Sequence, residues 1–432
     1  MRVQRDTIGS KGGILGGGLL GGLLLVWPGT VAAHTAFQDV APLSPPLPIE
    51  AEVDAVSEDS AAAADLAWSA HFGGVLAAGA FDAPSVEPEA LVGAVWAGLG
   101  ADLLFDNQVS VGVQASLTAF QDHPRTDPRG DALAGAAPGF RSVHKHLAEG
   151  GARADMGPRL NVEAAYVYAR GPLGELRVGR DSGYAATVAA APAFAPISLG
   201  PADAGLDLTG LGSVVTADQL SGTSTKVSAR TARVLGLDLG VSYTPTLEAW
   251  APGTTRRYGP AGVVGAIPDS IWEAGASLEL QPPAWDVGIV GAATLSNAAG
   301  PTIAGVFEDV ETVTANLGLR GRDWYLAAAG LRGDNGWSGP GDRDYQSISV
   351  QAGVALPDFN LGLEMAGSTD DLIATDLKTA MISMQKPFEG GHTLTLGLQH
   401  GERESGLPTA RRTERAFGVF AEWTFDWRSG AN

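Results

Sequence analysis

A chain of 432 residues with 59 glycines, about twice the usual share of roughly 7%, and no cysteine excludes a disulfide scaffold, a thiol catalyst and a Cys-ligated zinc site. Its 48 acidic and 28 basic side chains give a formal charge of −20, which argues against a nucleic-acid partner, because such proteins need basic surface to neutralise phosphates. At 45% apolar it is too hydrophobic for a disordered chain, so its nature depends on how the apolar residues are spaced.

Residues 1–33 read as a secretory signal peptide: Arg2, Arg5 and Lys11, then the apolar run GGILGGGLLGGLLLVW, then small side chains at Val31 and Ala33. The run is short of the roughly 20 residues a spanning helix needs and is rich in glycine. Removing 1–33, with its three bases and Asp6, takes the formal charge from −20 to −22. Residues 34–67 form an extension, Pro-rich at 40–49 (VAPLSPPLPI) and acidic and alanine-rich at 50–65. Prolines favour extended polyproline structure there. The extension is expected to be solvated.

From Trp68 onward the apolar residues recur every second position. In 109–119, Val109, Val111, Val113, Ala115, Leu117 and Ala119 alternate with small or polar neighbours, and 235–244 repeats the pattern. Alternation sets one face in an apolar medium and the other in water. Many of these segments run ten residues or more, enough for a tilted strand to cross a bilayer. Sixteen are expected: 68–79, 92–104, 109–120, 159–170, 175–180, 223–230, 234–244, 271–280, 284–295, 310–320, 324–332, 345–355, 359–367, 375–385, 392–400 and 415–427. They predict an all-β fold, a transmembrane antiparallel up-and-down barrel over 68–427 with a short tail at 428–432.

Connections alternate too. Short ones follow each even segment (105–108, 171–174, 231–233, 281–283, 321–323, 356–358, 386–391). The others are mostly long, notably 121–158, 181–222 and 245–270, with 368–374 the short exception. Tight turns at one rim and long loops at the other are what outer-membrane barrels show. Trp285, Trp324 or Tyr325, and Phe359 open segments just after short turns, while Trp423, Phe425 and Trp427 close the last, as an interfacial girdle would. The opposite face carries Asn161, Glu163, Lys226, Arg230, Glu273, Glu279, Asn316, Arg320, Asn360 and Glu364. Sixteen strands enclose more space than side chains fill, so this polar lumen lines water. Small aliphatics on the outward faces of the second and third segments (Val95, Ala97, Leu99, Ala101; Val111, Val113, Ala115) suit close subunit packing.

Residues 171–180 (GPLGELRVGR) resemble the general bacterial porin family, in which a G-x-F-G-x-x-x-x-G-R-like stretch leads into a third loop that folds into the barrel; Leu173 stands where that family often has Phe. The terminal segment FGVFAEWTFDW resembles the aromatic signal read by the barrel-assembly machinery, through Phe417, Val419, Trp423, Phe425 and Trp427, although 428–432 (RSGAN) follow it. The resemblance implies a 16-stranded homotrimer in the outer membrane of a Gram-negative bacterium, bounded by lipid and lipopolysaccharide and passing small hydrophilic solutes without a cofactor. It implies that loop 181–222 constricts the lumen, with loop acids facing wall bases. Arg177, Lys226 and Arg230 are the candidates for the basic side, and Asp181, Asp203 and Asp207 for the acidic side. The charge of −22 predicts mild cation preference.

A substrate-selective channel, for a sugar or an anion, is the near alternative; a secreted all-β binding protein or polysaccharide-active enzyme is another, but leaves the loop parity unexplained. No catalytic residues stand out. RDSGY at 180–184 lacks the flanking glycines of a serine-protease tag, and no G-x-S-x-G elbow occurs. His123, His144 and His146 share one loop and could bind a metal, and 333–344 could hold a surface cation without matching the calcium-loop spacing.

Overall fold

The structure is a computed structural model. It describes residues 65–84, 90–105, 108–121, 159–189, 199–204, 206–246, 269–281, 286–299, 309–334, 344–371, 374–406 and 411–430. The expected leader, most of the extension, the histidine loop and Trp285 lie outside the described residues.

Sixteen strands are present: β1 Asp65–Asp82, β2 Leu91–Leu104, β3 Ser110–Gln121, β4 Arg159–Gly171, β5 Gly174–Asp181, β6 Ser224–Thr231, β7 Leu237–Thr246 and β8 Asp269–Leu280. The second half comprises β9 Gly288–Ala299, β10 Val310–Arg320, β11 Trp324–Gly333, β12 Tyr345–Ala355, β13 Asn360–Asp370, β14 Thr375–Phe388, β15 His392–Ser405 and β16 Arg412–Gly430. A short helix, α1, covers Tyr184–Ala189 between β5 and β6. Each strand pairs antiparallel with its sequence neighbours, and β1 pairs with β16, so the sheet closes without an edge. Closure leaves no strand with an open edge, which is what a strand-built structure requires in lipid.

Side-chain period two gives the wall its two characters. In β2 the even residues Val92, Ala94 and Trp96 are buried and point inward, while Val95 and Leu99 are exposed on the outside. In β7, Asp238, Gly240, Ser242 and Thr244 face in against Leu237, Leu239 and Val241 outside. The outer face is apolar nearly throughout, and the short turns gather at one rim.

Several ends differ from the periodicity. β1 begins at Asp65, within the expected extension, because Asp65 to Ala67 continue the ladder opposite Leu104 to Asp102. β16 runs to Gly430, taking in most of the expected tail, since Arg428, Ser429 and Gly430 still pair with β1. β7 starts at Leu237 rather than 234: Leu235 (φ 52°) and Gly236 (φ 83°) form a two-residue turn, closed by reciprocal hydrogen bonds between Val234 and Leu237. A β-carbon at Gly236 would lie 2.2 Å from the Glu279 carbonyl oxygen, so glycine is required. β9 starts at Gly288, four residues late, Asp286 and Val287 being irregular. In β4 a bulge opposite Ser116 and Leu117 inserts Glu163, so alternation restarts at Ala164.

Candidate functional site

The described parts of the connection between β5 and β6 lie against inward-facing side chains of the wall. The connection begins with α1, seated on β7 to β10. Tyr184 N–H donates to Ser242 Oγ at 3.2 Å, and its hydroxyl to Asp238 Oδ1 at 2.8 Å. Glu273 Oε2 accepts from the Ser242 hydroxyl and, at 3.4 Å, from Ala185 N–H, while Asn316 donates to the Val188 carbonyl at 2.8 Å. Two glycines make room for this seat. A β-carbon on Gly183 would fall 1.8 Å from Glu273 Oε2, and one on Gly240 would fall 2.1 Å from the Tyr184 ring.

The chain next reaches the opposite wall. Glu422 on β16 accepts from Leu199 N–H at 3.2 Å, Glu364 on β13 accepts from Ala202 N–H at 2.9 Å, and Thr379 on β14 donates to the Pro201 carbonyl at 3.0 Å. Leu199, Leu206 and Leu208 bury themselves against Val75, Val92, Trp96, Met381 and Phe420. This patch of inner wall is apolar, where alternation predicts polar lining, because it meets the loop rather than water. Each buried leucine contributes about 1.5–3 kcal/mol. Further on, the Tyr345 hydroxyl exchanges hydrogen bonds with Val215 N–H (2.9 Å) and C=O (3.0 Å). Asp218 then meets β9 by accepting from Ser296, and Leu220 packs on Ile271, Ala298 and Val310.

Two carboxyls inside the loop are shielded from water. Burial raises Asp203 above the ordinary carboxyl range. Burial, reinforced by the charge of Glu273, pushes Asp218 up to about 7. Burial also raises the Tyr184 hydroxyl.

The six residues expected at a constriction divide into separate clusters. Arg177 on β5 pairs with Glu175 and, at 2.8 Å, with Asp181, and its guanidinium lies 4.9 Å over the Tyr166 ring. Lys226 is buried, donating to Ser221 Oγ at 2.7 Å and the Gly222 carbonyl at 2.6 Å. Arg230 holds Asp238 in a two-point bond at 2.9 and 2.7 Å. The loop acids turn into the loop itself. Asp203 accepts from Thr216 N–H (2.9 Å), Thr216 Oγ1 (2.5 Å) and Ala217 N–H (3.1 Å). Asp207 accepts from Thr209 N–H and Gly212 N–H, both at 2.8 Å, from Thr209 Oγ1 at 2.7 Å and from Gly210 N–H at 3.2 Å.

Residues the sequence reading passed over carry much of the arrangement: Asp238, Asp218, Glu422, Tyr184 and Tyr345. Asp238 is the hub, accepting from Arg230, Arg233, Tyr184 and Ser277. Alternation could have put Asp238 and Glu422 on the inward face; nothing in their own strands shows what they hold. On β16, Phe417, Val419, Trp423 and Trp427 are exposed on the outer face, and Phe425 packs between Phe72 and Trp423.

A closed sixteen-strand barrel, apolar outside and polar inside, with a loop drawn into its lumen, defines a membrane channel of the up-and-down β-barrel class. Residues 60–426 match the Gram-negative porin family, and the chain belongs to that family. Membership makes it a channel protein of the outer membrane. Among solved structures it is similar to OmpF of Salmonella typhi, in a complex with daunomycin (TM-score 0.52, 12% identity, covering 84% of this chain and 97% of that one). OprB of Pseudomonas putida is similar at TM-score 0.53 and 11% identity, over 83% and 94% of the two chains. The outer membrane channel DcaP of Acinetobacter baumannii gives 0.50 and 13%, over 84% and 97%. At these identities the likeness is one of fold. No curated protein sequence matches the chain.

Proposed function

We propose that the chain forms a water-filled pore through which ions and small hydrophilic solutes diffuse passively, narrowed by loop 181–222. The observation that carries this reading is the suspension of that loop from inward-facing residues on both sides of the barrel, Glu273 and Ser242 on one and Glu364 and Glu422 on the other. A loop fixed at both walls narrows the lumen without closing a hinge. Arg177, Lys226 and Arg230 supply positive charge to the β5–β6 wall, and Glu175, Asp181 and Asp238 supply negative charge beside them. With Asp203 and Asp207 committed to the loop backbone, the loop contributes chiefly by filling space. The overall charge favours mild cation preference.

The assembly we infer is a homotrimer. β5 and β6 have only eight residues each, against 18 in β1 and 19 in β16. Eight residues tilted by about 45° rise roughly 19 Å, less than the apolar band of about 25 Å on such barrels. A wall this low is best covered by another copy, and the small outward side chains of β2 and β3 permit close approach. Residues 1–33 direct export, and the outward aromatics of β16, from Phe417 to Trp427, engage the assembly machinery. Lipid and lipopolysaccharide surround the rest.

Planar-bilayer conductance of the purified protein tests the channel. Large ohmic steps in groups of three, with a salt-gradient reversal potential on the cation side, are expected. Small steps blocked by a single solute would replace this reading with a selective channel, and silence from folded protein would overturn it.

A further inference from the structure

We propose that Tyr184 is a selectivity-determining residue: its ring covers Asp238, so that permeating ions meet the arginines of the β6–β8 wall without the acid that pairs with them. The proposal rests on the channel reading and adds to it the residue that fixes the local sign of charge.

The seat of the ring is built into two strands. Gly240 on β7 and Gly275 on β8 are direct cross-strand partners on the inner face. A β-carbon would lie 2.1 Å from the Tyr184 ring at Gly240 and 3.2 Å from it at Gly275. Alternation sends a side chain inward at every second position, so two adjacent glycines open a recess in the wall, and the buried ring occupies it. Tyr184 donates its N–H to Ser242 and its hydroxyl to Asp238, the inward neighbours of Gly240 on either side along β7. The residue thus spans from one to the other with the glycine beneath it.

The charges around the ring differ in what they show to water. The Asp238 side chain is 0% exposed, against 34% for Arg230 and 36% for Arg233, both of which it pairs with. Glu279, paired with Arg233, is 59% exposed. Ions therefore meet two guanidiniums and one carboxylate, a local excess of positive charge in a chain whose formal charge is −20. Uncovering Asp238 makes the two signs equal. Both of its oxygens are engaged: Oδ1 accepts from Tyr184 and Arg230, and Oδ2 from Arg230, Arg233 and Ser277. A carboxylate so occupied offers a passing cation no free lone pair. Removing the tyrosine frees a position on Oδ1 and opens it to the lumen, which turns Asp238 into a cation contact on the permeation path.

Reversal potentials in a salt gradient and carboxyl labelling test this on the full exported protein, with a heat-shift gel confirming the folded band. Tyr184→Ala should raise the cation-to-anion permeability ratio about twofold. In the same variant Asp238 should become reactive to a water-soluble carbodiimide with glycinamide, read by peptide mass spectrometry, while it stays protected in the parent. Gly240→Ala fills the recess and leaves Tyr184 in the chain, and it should reproduce both changes. Tyr184→Phe keeps the ring and should return both toward the parent values. Tyr184→Ala joined to Asp238→Asn should show no rise over Asp238→Asn alone. A purely structural tyrosine predicts noisier current in Tyr184→Ala at the parent reversal potential, and that result would overturn the proposal. So would a rise that persists without the Asp238 charge, or an Asp238 labelled as readily in the parent. Silence from folded parent protein would overturn the channel reading and the selectivity claim with it, whereas steps with an unchanged reversal potential overturn the proposal alone.

Discussion

Glu422 and Glu364, on strands separated by two others, grip loop amides only three residues apart: Leu199 N–H at 3.2 Å and Ala202 N–H at 2.9 Å. Both carboxylates are almost fully buried. Two wall acids thus suspend one short stretch of loop, and Leu199 within it and Leu206 and Leu208 after it pack on the apolar patch of the wall. Removing an acceptor leaves a buried amide with no partner, at a cost of about 1–3 kcal/mol. Glu364→Gln keeps an oxygen in place and should leave single-channel conductance close to that of the parent. Glu364→Ala with Glu422→Ala should free the segment, giving noisier current and faster proteolysis between residues 199 and 206. Quiet, parent-like channels from the double alanine variant would mean that the leucines alone hold the loop.

Asp218 ties the other end of the loop to β9 and carries a pH dependence. Its pKa is pushed up to about 7 by burial and by Glu273, against an ordinary 3.8. An acid with a raised folded-state pKa keeps its proton in the native loop while the released loop gives it up. The anchor is therefore firmest below about pH 4 and weakens progressively as pH rises toward about 7, above which the loss is complete. Conductance noise from loop release should grow between pH 5 and 7 and then level off. Asp218→Asn should flatten that dependence. A parent channel equally quiet at both ends of the range would contradict the assignment.

The barrel was legible in the sequence because its physics is local. A strand facing lipid on one side and water on the other must alternate, and Val109 to Ala119 do so whatever lies across from them. Loop parity followed from the same local spacing. The lumen was less legible because its partners are remote: Glu364 is 162 residues from Ala202, and Glu422 is 223 from Leu199. Alternation placed Glu364 on the inner face but gave no hint of what it held. Asp203 and Asp207 fared similarly, since an acid in a loop rich in Gly, Thr and Ser can close a turn on neighbouring amides as readily as face a pore. Val75, Val92 and Trp96 point inward against expectation because the interior of this barrel is partly dry.

Asp238 collects two arginines. Arg230 reaches it at 2.7 Å and Arg233 at 3.0 Å, and the Asp238 side chain itself is fully enclosed. Asp238→Asn keeps the shape and removes the charge, leaving two guanidiniums with less compensation beside the lumen. The cation-to-anion permeability ratio should fall by about twofold or more. Arg230→Gln should shift it the other way. Reversal potentials in a salt gradient give the sign directly. Two unchanged values would remove this cluster from the permeation path.

The glycines of the segment GPLGELRVGR are not equivalent. At Gly179 the backbone has φ 139°, and a β-carbon would sit 2.4 Å from the Ala165 carbonyl and 2.6 Å from the Tyr166 α-carbon, both unyielding main-chain atoms. At Gly171 the nearest contact is a Val109 methyl at 3.4 Å, and the backbone is unremarkable there. β5 has only eight residues, so one displaced ladder position weakens its pairing with β4 and with it the approach to α1. Gly179→Ala should cost about 1–3 kcal/mol. It should lower the temperature at which the folded band disappears in a heat-shift gel, and Gly171→Ala should not. If both variants melt with the parent, the short strand tolerates a side chain at Gly179 and the spacing of the motif needs another cause.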